Sequence, residues 1–127
     1  MSDSSESLKL YHKKCDHLLK EPEIRFAGIV DKNGKLIAGG FKEGITPYEN
    51  DETKLQSFFE FVSKTSIRKE FDESLGPINY LAARRDKAVL VSFPFPVTQI
   101  LLLISAEPTV SIEILAKKVV EIFTDVN

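Results

Sequence analysis

The chain has 127 residues, 43% hydrophobic and 28% charged, with 17 lysines and arginines against 19 acidic residues and a formal charge of −2. That length predicts one domain, residues 1–127, able to bury a core without a disulfide or a metal. The mixed charge argues against a general nucleic-acid binder, which carries a strong basic excess.

The single Cys15 excludes an internal disulfide and suits a reducing compartment. The opening MSDSSESLKLYHKK lacks the apolar stretch of a signal peptide. The longest apolar run, residues 100–104, is too short to cross a bilayer. A soluble cytoplasmic protein with no membrane insertion is expected, with residues 1–5 frayed.

From about Glu6 to Lys20, Leu8, Tyr11, Cys15, Leu18 and Leu19 fall on one stripe of an amphipathic helix that Pro22 stops. A hairpin follows in IRFAGIVDKNGKLIAGGF, residues 24–41. Asn33-Gly34 predicts a two-residue type I′ turn, because both central positions there need positive φ. That turn sets Val30 opposite Ile37, Ile29 opposite Ala38 and Gly28 opposite Gly39. The two glycines then form a shallow trough beside Phe26, Val30, Ile37 and Phe41, suited to a closely packed helix or to the approach of a ligand.

The segment KEGITPYEND reads as a loop, and its Asn50 or Asp51 caps a second helix reaching about Phe71. Leu55, Phe58, Phe59, Val62 and Ser66 form the main stripe of this helix. Phe61 and Ile67 lie off it, so the helix is apolar over a wider arc than one sheet face requires. Three strands follow: residues 78–84, residues 88–93 after the Arg85-Asp86-Lys87 turn, and residues 99–106 after Pro94-Phe95-Pro96. The last is apolar on both faces, as a central strand is. A final helix runs from about Ser111 to Asp125. The order is α-β-β-α-β-β-β-α, an α+β (α/β) fold with one antiparallel five-stranded sheet and helices on both faces.

The stretch FAGIVDKNGKLIAGG and this element order resemble the roadblock/LC7 domain, a relative in shape of profilin and longin folds. The full chain is also similar to a set of small archaeal proteins of uncharacterised function. The resemblance implies the strand order 2-1-5-4-3 and a dimer built by the second helix and the third strand. Members of that family serve as adaptors, some acting with small GTPases as scaffolds or regulators, and the family shares no catalytic motif. The long polar linker and the Pro94-Phe95-Pro96 turn depart from its pattern.

Chemistry-bearing clusters are sparse. In HKKCDH, residues 12–17, His12 and Cys15 share a helix face, but His17 points about 160° away from Cys15 at helical spacing, and zinc asks for three or four ligands. Cys15 falls on the apolar stripe, where a free cysteine behaves as a small hydrophobe. No phosphate loop, dinucleotide fingerprint or nucleophile elbow occurs. Asp72-Glu73 reads as a solvated turn. No enzyme activity, cofactor or metal is expected.

The surplus on the second helix carries the functional reading. Burying one such side chain is worth roughly 1.5–3 kcal/mol, and two copies meeting about a two-fold axis gain twice over. The expected function is a non-enzymatic protein-interaction module, a homodimeric roadblock-like adaptor or regulator with an unidentified protein partner, a small GTPase being one candidate. The expected dimer interface is Phe58, Phe61, Val62, Thr65, Tyr80, Ala82 and Arg84. A candidate partner surface gathers Arg68, Lys69, Arg85, Lys87 and Phe95. The alternative is a PAS- or profilin-like domain that senses a small ligand in the Gly28/Gly39 trough.

Overall fold

In this computed structural model, residues 2–66, 69–95 and 98–126 are described. Ile67, Arg68, Pro96 and Val97 lie outside the described residues. The elements in chain order are α1 (Ser2–Leu19), β1 (Ile24–Val30), β2 (Leu36–Phe41), α2 (Glu52–Ser66), α3 (Asp72–Leu75), β3 (Leu81–Arg84), β4 (Val89–Phe95), β5 (Ile100–Ala106) and α4 (Ile112–Ile122). The strands form one antiparallel sheet in the order β2-β1-β5-β4-β3. The doubly apolar β5 sits at its centre, buried on both faces save for the half-buried Ser105.

Side chains alternate across the sheet and separate two layers. Ala27, Ile29, Val91, Leu102 and Ile104 face α1 and α4 in the larger core, together with Cys15, Leu18, Leu115 and Val119. Phe26, Val30, Leu101 and Leu103 face α2 and pack with Val62, Phe58, Phe59 and Leu36 in a smaller cluster. The α2 layer is therefore the thinner one. Polar contacts accompany the apolar packing of the larger layer. Ser111 caps α4 by accepting from the Ile114 N–H, and Lys14 of α1 donates to the Ile122 carbonyl near the end of α4 while pairing with Asp125 at 2.7 Å.

Several expectations are corrected. The hairpin loop is not the two-residue type I′ turn. The Asp31 N–H donates to the Lys35 carbonyl and the Gly34 N–H to the Asp31 carbonyl. The Asp31 carboxylate accepts from the Asn33 and Lys35 N–H groups, and only Gly34 has positive φ, +84°. This is a three-residue loop ending in a left-handed glycine. It shifts the register by one, so Val30 faces Leu36 rather than Ile37. Such a slip moves a side chain through the sheet: Leu36 joins the α2 layer and Ile37 the opposite one.

Gly28 and Gly39 are partners across the hairpin, as expected, but they make no open trough. A Cβ on Gly28 would lie 2.6 Å from Leu36 and 2.8 Å from the Phe26 ring. One on Gly39, whose φ is +81°, would meet the Ala27 carbonyl at 2.1 Å and Cys15 Sγ at 2.9 Å. The first space is filled by neighbouring side chains and the second by the close approach of α1.

The second helix ends at Ser66 rather than near Phe71, and the separate turn α3 follows. Strand β3 is shorter than residues 78–84, pairing only from Leu81 with Ser92 to Arg84 with Val89. Pro94, expected in a turn, lies inside β4. It sits beyond the last β3 pair, where β4 is itself an edge and a missing N–H costs no ladder bond on that side.

Candidate functional site

Helix α2 is held along its middle by the hairpin turn. Gly34 lies so close that a Cβ there would stand 2.7 Å from the Glu60 Cα. Buried Ser63 donates to the Asp31 carbonyl at 2.6 Å, and Gln56 donates to the Gly34 carbonyl at 3.1 Å. Of the two candidate caps it is Asp51 that acts, accepting from the Thr53 and Lys54 N–H groups. These contacts aim the inner face of α2: Val62 is buried, and Phe59 stacks on Phe26 with ring centres 6.1 Å apart.

The outer face is left in solvent. Phe61 is 65% exposed, which is the apolar surplus read from the helix pattern. All four residues of β3 are exposed, and its outer edge pairs with no strand among the described residues. Between these two elements, Phe71 and Leu75 are also exposed, at 65% and 80%. The composition of DESL, acidic and small around one leucine, hid this stretch from a search for amphipathic periodicity.

The expected interface residues do not share one surface. Phe58 is half-buried against Phe59, and Val62 is turned to the sheet. Thr65 is half-buried and only Phe61 points fully outward. On β3, Ala82 and Arg84 pair with Val91 and Val89, whose side chains face α1 and α4. Arg84 donates to the Pro108 and Val110 carbonyls. Tyr80 donates to the Glu113 carboxylate, which pushes its phenol above the usual range. The β3 residues on the α2 side are Leu81 and Ala83, which pair with Ser92 and Leu90.

The expected basic patch is also rearranged. Arg85 and Lys87 lie at the rim of a groove that the amino-terminal end of α2 overhangs, with Lys54 beside them. Lys69 follows the other end of a 15-residue helix, a separation of about 22 Å along the axis. Arg68 lies outside the described residues. Phe95 is half-buried, its ring 5.6 Å from that of Phe123, so it joins the larger core.

The groove itself measures about 840 Å³. Its floor is Phe26, Leu90, Leu103 and Ser105; its roof is Leu55, Phe58 and Phe59; the linker closes one side with Tyr48 and Glu49. Arg25 stands at its corner, 8% exposed, paired with Glu107 at 3.1 Å and donating to the Thr46 carbonyl at 3.0 Å. Its guanidinium lies 4.1 Å from the Tyr48 ring centre, a cation–π contact that pins the linker to the sheet. Sequence reasoning passed over Arg25; a lone cation inside the apolar run IRFAGIV was the signal.

Cys15 is not poised as a nucleophile. Cys15 is fully buried, and burial, with the Asp16 charge adding to it, pushes its thiol up to about 12. Among the described residues no group of three metal-ligating side chains gathers, and no helix is long and apolar enough to cross a membrane.

Residues 4–126 match the model of a family described as "Family of unknown function (DUF6659)". No curated protein matches the chain. Among solved structures, a roadblock/LC7 domain from Streptomyces avermitilis superposes with a TM-score of 0.65 at 10% identity, covering 90% of this chain and 92% of that one. The gliding protein MglB of Thermus thermophilus gives 0.66 at 12% identity, with 93% and 91% coverage. MglB of Myxococcus xanthus gives 0.62 at 18% identity, with 93% and 90%. At these identities the likeness establishes the fold, and the fold is that of the roadblock domain.

Proposed function

We propose that this chain, which belongs to the DUF6659 family, is a non-catalytic, homodimeric adaptor or regulator of roadblock type. The observation that carries the proposal is Phe61, 65% exposed on a helix that meets the sheet through Val62, Phe58 and Phe59 instead. An aromatic ring so placed gains by burial against its own copy, because a two-fold axis brings the same patch together twice. The unpaired outer edge of β3 lies ready to extend the pairing by backbone hydrogen bonds. In this reading Phe61 is the centre of the interface, Thr65, Leu81 and the β3 backbone flank it, and Phe71 and Leu75 add to the rim.

Self-association has a parallel in MglB, which has been solved in a tetrameric arrangement. The finer reading makes the dimer a platform for a cytoplasmic protein client, a small GTPase by the roadblock resemblance. Light scattering on the full chain tests the pairing: the wild type runs at twice the mass of one chain, and Leu81→Lys shifts it toward a single chain. A wild type that stays single at every concentration removes the proposal.

A further inference from the structure

We propose that the groove under α2 is a binding site for a free, single-chain anionic amphiphile, such as a fatty acid. Its volume of about 840 Å³ lies in the range of small-molecule sites, roughly 300–1,000 Å³. The groove is walled by helix, sheet and linker, a concave shape that receives a chain better than it receives a flat protein face. Phe58, Phe59 and Leu90 line it while only half-buried, and Phe41 is 37% exposed. These carbons stay wet unless something apolar lies along them.

The charges at the rim say which end of the occupant is polar. Glu49 is engaged locally, accepting from the Asp51 N–H and lying 3.8 Å from Lys54. At the β3–β4 turn stand Arg85, Asp86 and Lys87, and among the described residues neither cation has an ion-pair partner. Arg25 at the corner is already paired with Glu107, so the cationic excess at this end rests on Arg85 and Lys87 against the one carboxylate of Asp86. A carboxylate head therefore sits between Arg85 and Lys87, and the alkyl body runs inward over Ser105 and Leu103. A bilayer lipid, with two chains, overfills the space. The site uses the inner side of α2, so it is independent of the proposed pairing through Phe61.

The test titrates the full chain with dodecanoate below its micelle concentration, with 1-monododecanoylglycerol as the neutral counterpart. One dodecanoate is expected per chain. Arg85→Ala combined with Lys87→Ala weakens dodecanoate about tenfold or more and leaves the neutral lipid unchanged. Ser105→Phe, filling the floor, abolishes both; should it misfold, the turn substitutions on exposed residues still decide. Phe61→Glu leaves dodecanoate binding intact, whatever it does to the mass of the particle. Absence of wild-type binding, equal response of the two ligands to the charge removal, or binding only to phosphatidylserine vesicles overturns the proposal.

Discussion

Replacing Phe61 by glutamate separates a residue that works inside the subunit from one that works between subunits. Burial of a phenylalanine is worth roughly 1.5–3 kcal/mol, and Phe61 keeps 65% of its surface in water, so about 1–2 kcal/mol per copy is still to be gained. A two-fold interface counts it twice, about 2–4 kcal/mol, or a dissociation constant weakened about 30- to 700-fold on its loss. The introduced carboxylates, facing one another across the axis, add to that. In the isolated subunit the same change is a surface substitution, worth no more than about 0.5 kcal/mol. Sedimentation equilibrium over a dilution series measures the first quantity, and urea unfolding at concentrations where the wild type has dissociated measures the second. The reasoning fails if the variant pairs with the wild-type constant, or if the dissociated subunit loses more than about 1 kcal/mol.

Three further outcomes follow from the larger core. Gly39→Ala forces a left-handed backbone on a side chain whose Cβ would lie 2.1 Å from the Ala27 carbonyl; a loss of about 3 kcal/mol or more is expected in urea, and a near-neutral result refutes the geometry. The hydrogen bond from Lys14, followed by a backbone hydrogen bond, holds the Asp125 carboxyl below its ordinary 3.8. A depressed folded value contributes stability above the ordinary one and loses it as the pH falls through the folded one. Lys14→Met should therefore raise the Asp125 titration toward its ordinary value by NMR and remove the Lys14 share of the acid destabilisation; an unchanged titration curve contradicts this. Cys15, with its thiol pushed up to about 12, should resist iodoacetamide at neutral pH except through unfolding, so its labelling rate should rise with urea, and rapid labelling of the native chain would show an opening that the packing does not allow.

What could be read in the amino acids was periodicity. The apolar run of residues 100–106 named the central strand because a strand at the middle of a sheet covered on both faces is dry on both sides. The final helix, expected from about Ser111 to Asp125, likewise forms, as α4. What escaped was decided by single polar side chains and by residues remote in sequence. Asn33-Gly34 suggested the tightest turn, but the Asp31 carboxylate, two residues ahead, holds a longer one and so reversed Leu36 and Ile37 across the sheet. The side chains of β3 were assigned to a shared interface by the roadblock resemblance; pairing with β4 divides them between faces, and the Pro108 and Val110 carbonyls engage Arg84. The groove was invisible for a different reason: its walls come from β1, the linker, α2, the β3–β4 turn and β5, and no local pattern joins them.

The two margins of the sheet are finished differently. Along β2 the left-handed Gly39 turns its N–H out of line, and His12 of α1 accepts it at 3.2 Å, so that side is hemmed by the protein's own helix. Among the described residues the β3 margin carries no such hem. In the proposed pairing, a chain joined to its twin along β3 would offer a third only the β2 margin, where the Gly39 N–H is already taken.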